Sequence, residues 1–236
     1  MLILVAGLGR SGTHLLGRLL GSHPQVSVDL ERQPQFDLVT RMAVNRTERH
    51  RMPELVEVYR RRMKTCGSKH LADKSHPVLW ISSELSKLIP AMKVVGIRRE
   101  ALPNISSMLK HPGVLSWFSR WRGYPVPNGF LGIGRSDIRR YWKLSVEERC
   151  ALRWLSHQRR LDDLEADGVL VVSFEELVSD PSVQKKIWDY LQLDAPITYT
   201  QFDRAPLKKW RLHLSLRQQK KISGFIEEER TRRASS

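Results

Sequence analysis

Eight consecutive residues, Gly7-Leu8-Gly9-Arg10-Ser11-Gly12-Thr13-His14, combine the residue types that hold a phosphate-like anion. Glycines let a backbone curl so that successive N–H groups point at one anion, and Arg10 supplies a fixed positive charge from inside the loop. A nucleotide kinase or ATPase would need G-x-x-x-x-G-K-[ST], its lysine on the phosphates and its hydroxyl on magnesium. Gly7 and Gly12 keep that glycine spacing, but Thr13 stands in the lysine position and His14 in the hydroxyl position. The loop therefore reads as a site for a phosphorylated nucleotide held without metal, with Gly9, Arg10, Ser11, Gly12, Thr13 and His14 as its binding residues.

Other residues could do chemistry beside such a site. Lys74-Ser75-His76 sets a cation next to an imidazole, and Glu31 offers a carboxylate. A lysine can neutralise charge that builds on a leaving group, while a glutamate or histidine can take a proton. Further on come Arg98-Arg99, then Ser106-Ser107, and later the basic pair Lys208-Lys209. An arginine fork and a helix-start hydroxyl converging on a dianion form charge-assisted hydrogen bonds. Trp117, Phe118, Trp121, Arg122 and Tyr124 lie close together in the sequence. Such a cluster either stacks on a substrate or forms a small core of its own.

These residues need elements to position them. Leu2–Ala6 is a continuous apolar run, the pattern of a strand buried on both faces of a parallel sheet, and Thr13–Leu20 has helical apolar spacing. Strand, glycine turn and helix then place the loop at a helix N-terminus, where the dipole favours anions. Further helices are expected over Glu54–Lys64, His76–Pro90, Leu102–Lys110, Val146–Ala166 and Pro181–Leu191, with strands at Met92–Ile97 and Gly168–Phe174. Residues 111–145, rich in glycine, proline and aromatics, read as an irregular insertion or lid. Strands alternating with helices imply a P-loop-like, three-layer α/β fold with a central parallel sheet flanked by helices, in a single domain spanning 1–236.

Composition narrows the partners. Forty Lys and Arg against 25 Asp and Glu give +15 at pH 7, a field that gathers anionic cofactors, acceptors, nucleic acid or acidic lipid. No basic block alternates with aromatics as in a nucleic-acid groove, so a nucleic-acid partner is not expected. Two cysteines make no disulfide framework and point to a reducing compartment. The opening apolar run is short, lacks a basic leader and feeds a glycine loop, and no stretch approaches the ~20 apolar residues of a membrane span. A soluble, cytoplasmic protein is the expectation.

The loop resembles the 5′-phosphosulfate loop of sulfotransferases that use 3′-phosphoadenosine 5′-phosphosulfate (PAPS), where R-S-G-T or K-S-G-T follows the first strand. The likeness continues through His23-Pro24-Gln25-Val26 to Glu31, similar to tyrosylprotein sulfotransferases and bacterial relatives. It implies that Arg99 with Ser107, or Arg98 with Ser106, reads the cofactor's 3′-phosphate; Lys93 and Met108 favour the first register. The run Leu170–Pro181 is similar to the family's strand and V-x-Y-E-x-L segment, with Phe174 where tyrosine is usual. Leu207–Ser215 resembles the C-terminal L-S-K-W segment and implies that Lys208 or Lys209 lies near the phosphates.

The resemblance also implies the chemistry. A sulfuryl group passes in line from the leaving phosphate to an acceptor hydroxyl or amine, releasing PAP, with no metal required. Arg10 and Lys74 are the implied cations at the leaving group. Glu31 matches the base of the tyrosylprotein enzymes and His76 the histidine of the cytosolic small-molecule enzymes; the ungapped spacing from Arg10 to Glu31 favours the glutamate. The acceptor stays open among carbohydrate, lipid, peptide and small metabolite. Two alternatives compete: a P-loop nucleoside or sugar kinase, against which the missing lysine counts, and a basic module that binds polyanions without catalysis.

Overall fold

The computed structural model describes residues 1–194 and 200–234. In chain order its elements are β1 (Leu2–Gly7), α1 (Thr13–Gly21), β2 (Val26–Leu30), α2 (Gln35–Val44), α3 (Met52–Thr65), β3 (His70–Lys74), α4 (Ser82–Leu88) and β4 (Lys93–Arg98). There follow α5 (Ala101–Leu109), α6 (Pro112–Ser119), α7 (Val146–Ala166), β5 (Leu170–Ser173), α8 (Phe174–Ser179), α9 (Ser182–Leu191), α10 (Ala205–Lys208) and α11 (Leu216–Ala234). They fall into two compact units, one of residues 1–98 and 160–202, the other of residues 99–159 and 203–236.

The first unit is built on a five-stranded sheet in the order β2-β3-β1-β4-β5, every pair parallel. This bears out the expected α/β fold. All six residues of β1 are buried, which is why its sequence is apolar without alternation. Connections leave β1 toward β2 on one side and reach β4 on the other, so the loop after β1 sits at the point where the strand order reverses. Parallel sheets bind ligands at the carboxyl ends of their strands beside such a point. The sheet's core joins Leu4, Ala6, Leu71 and Val94 to Leu55 and Tyr59 of α3 and Leu161 of α7.

Among the elements that escaped the sequence reading are β2, β3, α2 and α11. His70-Leu71-Ala72-Asp73-Lys74 looks polar yet is buried at all five positions, because partners inside the fold satisfy Asp73 and Lys74. The single helix expected over His76–Pro90 is a 3-10 turn, His76–Trp80, followed by α4. Pro77 enters that turn at its first positions. The last strand begins at Leu170 and stops before Phe174, since Ser173 caps α8 by accepting from Glu176 N at 3.3 Å.

In the second unit, residues 111–145 hold α6, short 3-10 turns and a bridge between Asn128 and Ile133. Their aromatic side chains pack on one another: Trp117 lies 5.1 Å from Tyr124 and 5.3 Å from Phe130, and Trp121 lies 5.1 Å from Tyr141, ring centre to ring centre. Among the described residues no helix is long and apolar enough to cross a membrane.

Candidate active site at the carboxyl ends of three strands

The loop after β1 has the geometry its glycines foretold. Gly12 adopts φ 101° as the residue before α1, a left-handed conformation that favours glycine, and a methyl group there would strike the Phe174 ring at 2.4 Å. No side chain caps α1, so the first N–H groups of the helix have no side-chain acceptor at its start. Ser11 is buried, with its amide on the Leu8 carbonyl at 3.0 Å and its hydroxyl donating to the Ile97 carbonyl at 3.3 Å. The first bond closes a turn within the loop, and the second ties it to β4. Arg10 is exposed at φ 75°, a strained conformation for a residue with a side chain. Thr13 is buried and His14 exposed.

Three residues predicted separately form one hydrogen-bonded group. Glu31 follows β2, Lys74 ends β3 and His76 stands two residues on; Leu30 and Lys74 are partners in the strand register. Lys74 Nζ donates to Glu31 Oε1, and His76 Nδ1 lies 3.1 Å from the same oxygen. Burial works against ionisation of Glu31, but the bonds from His76 and Lys74, with the lysine charge, outweigh it and bring its pKa down to about 2. Burial lowers Lys74, an effect its bond to Glu31 opposes. An ionised carboxylate only accepts, so Nδ1 of His76 carries its hydrogen, and a neutral ring then has its basic lone pair on Nε2. That atom lies against the loop: a methyl group on Gly9 would approach it to 3.2 Å.

Close helix packing brings the group to the loop. A methyl group on Gly17 would come within 2.8 Å of Leu30 and 3.2 Å of Lys74 Cβ, so only glycine lets α1 lie this near β2 and β3. Burial and the charge of Lys74 lower the pKa of His14, countered by Glu31. The loop, Glu31, Lys74, His76 and His14 thus share one electrostatic environment.

Behind them lies a buried polar network that the sequence reading missed. Tyr59 donates to Asp73 Oδ2 at 2.6 Å and Ser75 to Asp73 Oδ1 at 3.0 Å. Burial pushes the Asp73 carboxyl up to about 7 against those two bonds. Asp29, its register partner on β2, receives both arms of Arg62 at 2.9 Å and Gln35 at 3.0 Å. The network fixes the ends of β2 and β3 from which Glu31 and Lys74 project. Its signal was Tyr59 and Arg62, one helical turn apart on α3.

Apart from Arg98, the remaining predicted residues lie in the second unit. Arg99 stands just before α5 and Ser107 in its second turn, while Lys208-Lys209 adjoin a 3-10 turn, Lys209–Leu212, that packs on α5. Both lysines are exposed. Of the competing register, Arg98 is engaged by Asp162 at 3.1 Å and Glu165 at 2.6 Å, and Ser106 is buried at 3% exposure. Arg99 and Ser107 are each half-buried, and the Arg99 carbonyl accepts from Trp154 Nε1 at 2.9 Å. Among the described residues no three His, Cys, Asp or Glu side chains stand together as a metal site.

The family model described as "Sulfotransferase family" matches residues 3–196. Among solved structures, the sulfotransferase domain of the olefin synthase of Synechococcus PCC 7002 is 16% identical, covering 92% of this chain and 88% of that one with a TM-score of 0.54. A sulfotransferase from Alicyclobacillus acidocaldarius is 12% identical, with 95% of each chain covered and a TM-score of 0.51. The sulfotransferase domain from the curacin biosynthetic pathway is 15% identical over 88% of this chain and 76% of that one, at 0.50. At these identities the likeness is one of fold. No curated protein sequence matches the chain.

Proposed function

The chain belongs to the sulfotransferase family and is an enzyme that moves a sulfuryl group onto an acceptor; on that premise we propose that its donor is PAPS, used without a metal ion. The observation that carries the proposal is the meeting of Glu31, Lys74 and His76 on one carboxylate oxygen beside an uncapped helix N-terminus. Three features support a phosphosulfate at the loop: an uncapped helix N-terminus, the exposed Arg10, and Gly12, whose left-handed backbone lets the chain turn into α1. PAPS supplies an activated sulfuryl group on a phosphate leaving group. We assign its 5′ end to Gly9–His14 and its 3′-phosphate to Arg99 and Ser107, with Lys208 and Lys209 as further cations. The prior engagement of Arg98 supports that register.

In this mechanism Arg10, Lys74 and the first N–H groups of α1 neutralise the charge that builds on the leaving oxygen as its bond to sulfur breaks. Glu31 and His76 act as one base. The carboxylate holds Nδ1–H, and Nε2 takes the proton of the acceptor hydroxyl or amine as the new bond to sulfur forms. An anion that draws Lys74 away removes the interactions with which the lysine depresses Glu31, so the pair gains proton affinity once the donor is bound. The two units serve as one sulfotransferase domain, with 111–145 as a lid or insertion. A cytoplasmic setting completes the proposal, and the free thiols of Cys66 and Cys150 fit a reducing compartment.

Thermal unfolding with PAP, PAPS, ATP and ATP with magnesium tests the donor. PAP and PAPS without metal should each raise the midpoint. A rise with ATP and magnesium alone would replace this reading with a kinase. A basic polyanion-binding module would respond to neither nucleotide pair, and its affinity for polyanions would fall steeply with salt.

A further inference from the structure

Two arginines one helical turn apart on α7 meet the aromatic segment of the second unit in opposite ways. Arg149 is satisfied: it donates to the carbonyls of Tyr141 at 3.3 Å, Phe118 at 3.4 Å and Trp142 at 3.2 Å. Arg153 is 2% exposed, and its Nε and Nη1 are buried without a hydrogen-bond partner. Its guanidinium lies 4.3 Å from the Phe130 ring centre and 6.0 Å from that of Phe118. Ring faces attract the charge but offer no lone pairs to its N–H groups. The Tyr141 hydroxyl, also fully buried, has no partner either.

Among the described residues nothing neutralises Arg153. Burial lowers its pKa to about 10, which leaves it protonated at neutral pH, while burial pushes the Cys150 thiol up to about 12 and keeps it uncharged. The buried carboxylates of the unit are committed elsewhere: Asp137 and Glu229 are each bridged by both Arg140 and Arg232 at 2.6–2.7 Å. A buried cation is stable only with a counter-charge or hydrogen-bond acceptors to replace its lost water.

We propose that Arg153 and Tyr141, between Phe118 and Phe130, form a buried site for a carboxylate or similar small oxyanion group. The planar guanidinium offers a fork that matches such a group, and the phenol adds a third donor. The surrounding unit attracts anions: it holds 21 Lys and Arg against 8 Asp and Glu, net +13, where the other unit holds 19 against 17, net +2. The ligand is a small free oxyanion, such as a carboxylate or phosphate, taken up within this unit.

The test follows thermal unfolding of the full chain while sodium acetate, then phosphate, is titrated at constant ionic strength with PAP saturating. PAP occupies the nucleotide's phosphate sites, so an added anion reports elsewhere. Wild type should gain a saturable rise. R153M, which keeps the stem volume, should gain none while retaining its PAP shift, and R153K should saturate only at higher concentration. An R153M response equal to wild type overturns the site; should R153M not fold, an R153K titration identical to wild type does the same. Should PAP shift no variant, the donor reading falls, and acetate titrated alone still decides the Arg153 site.

Discussion

Lys74 and Arg153 are the two lysine or arginine side chains buried within the described residues, at 1% and 2% exposure, and the chain treats them differently. Lys74 has an internal counter-ion, Glu31, whose carboxylate is also held by His76. Arg153 has aromatic faces and no acceptor on its Nε or Nη1. A paired cation can be exchanged: a stronger anion takes the lysine and leaves its carboxylate altered. An unpaired one can only gain. The contrast assigns Lys74 to a step in which charge moves, and Arg153 to recognition of a group that stays charged throughout.

The comparison breaks first at the carboxylate that Lys74 shares. E31Q and H76A should each lower kcat by roughly 10²–10⁴-fold with PAP affinity near wild type, because a positioned base contributes about that much. The double variant should be no slower than the worse single one, as expected for residues that act as a unit. Losses that multiply would separate Glu31 from His76. A large loss in one variant alone would name that residue as the base.

Lys74 itself comes next. K74M should cost on the order of 10²–10³-fold in kcat, the scale of removing one donor from a developing charge. It should also move the acidic limb of the pH–rate profile upward. The lysine's hydrogen bond and charge both depress Glu31, and without them that carboxylate titrates above its present value of about 2. A variant with normal kcat and an unmoved limb would make Lys74 a structural counter-ion and erase its difference from a merely buried charge.

How much of this was legible depended on whether a residue's partner lay nearby in sequence. The loop was readable because its glycines, its strand and its helix are contiguous, and Gly12 does take the left-handed conformation its place demands. Glu31, Lys74 and His76 were each visible by type and spacing, but as rivals. Their union depends on β2 lying beside β3, and β3 reads as a polar stretch until Tyr59, Ser75 and Glu31 are seen to satisfy it. Arg153 had no signal at all. An arginine in an amphipathic helix reads as a solvated face until Phe118 and Phe130 close over it.

The donor's far end offers a smaller effect on the same scale. R99A should weaken PAP binding about 10- to 100-fold, the range of a lost charge-assisted pair, while adenosine 5′-phosphosulfate, which lacks the 3′-phosphate, loses much less. Isothermal titration with both ligands checks it. Equal losses would refute the assignment, and a selective loss in R98A would move the register by one residue despite the ion pairs that occupy Arg98.

The smallest expected effect is none, and it bears on why a lysine is buried at the site. Thr13 and His14 stand where a nucleotide kinase keeps its phosphate lysine and its magnesium hydroxyl. If Lys74 and Arg10 supply the positive charge at the leaving group, the reaction has no step that a divalent ion must serve. EDTA should then leave the rate of sulfuryl transfer unchanged, and added magnesium should not raise it. K74M should not be rescued by magnesium either, because a methionine thioether is no ligand for so hard a cation and Glu31 alone makes a poor metal site. Activity abolished by EDTA and restored by magnesium would mean that the charge at the leaving oxygen comes from outside the chain. Lys74 would then be a buried counter-ion of Glu31, and the distinction between the two buried cations would rest on Arg153 alone.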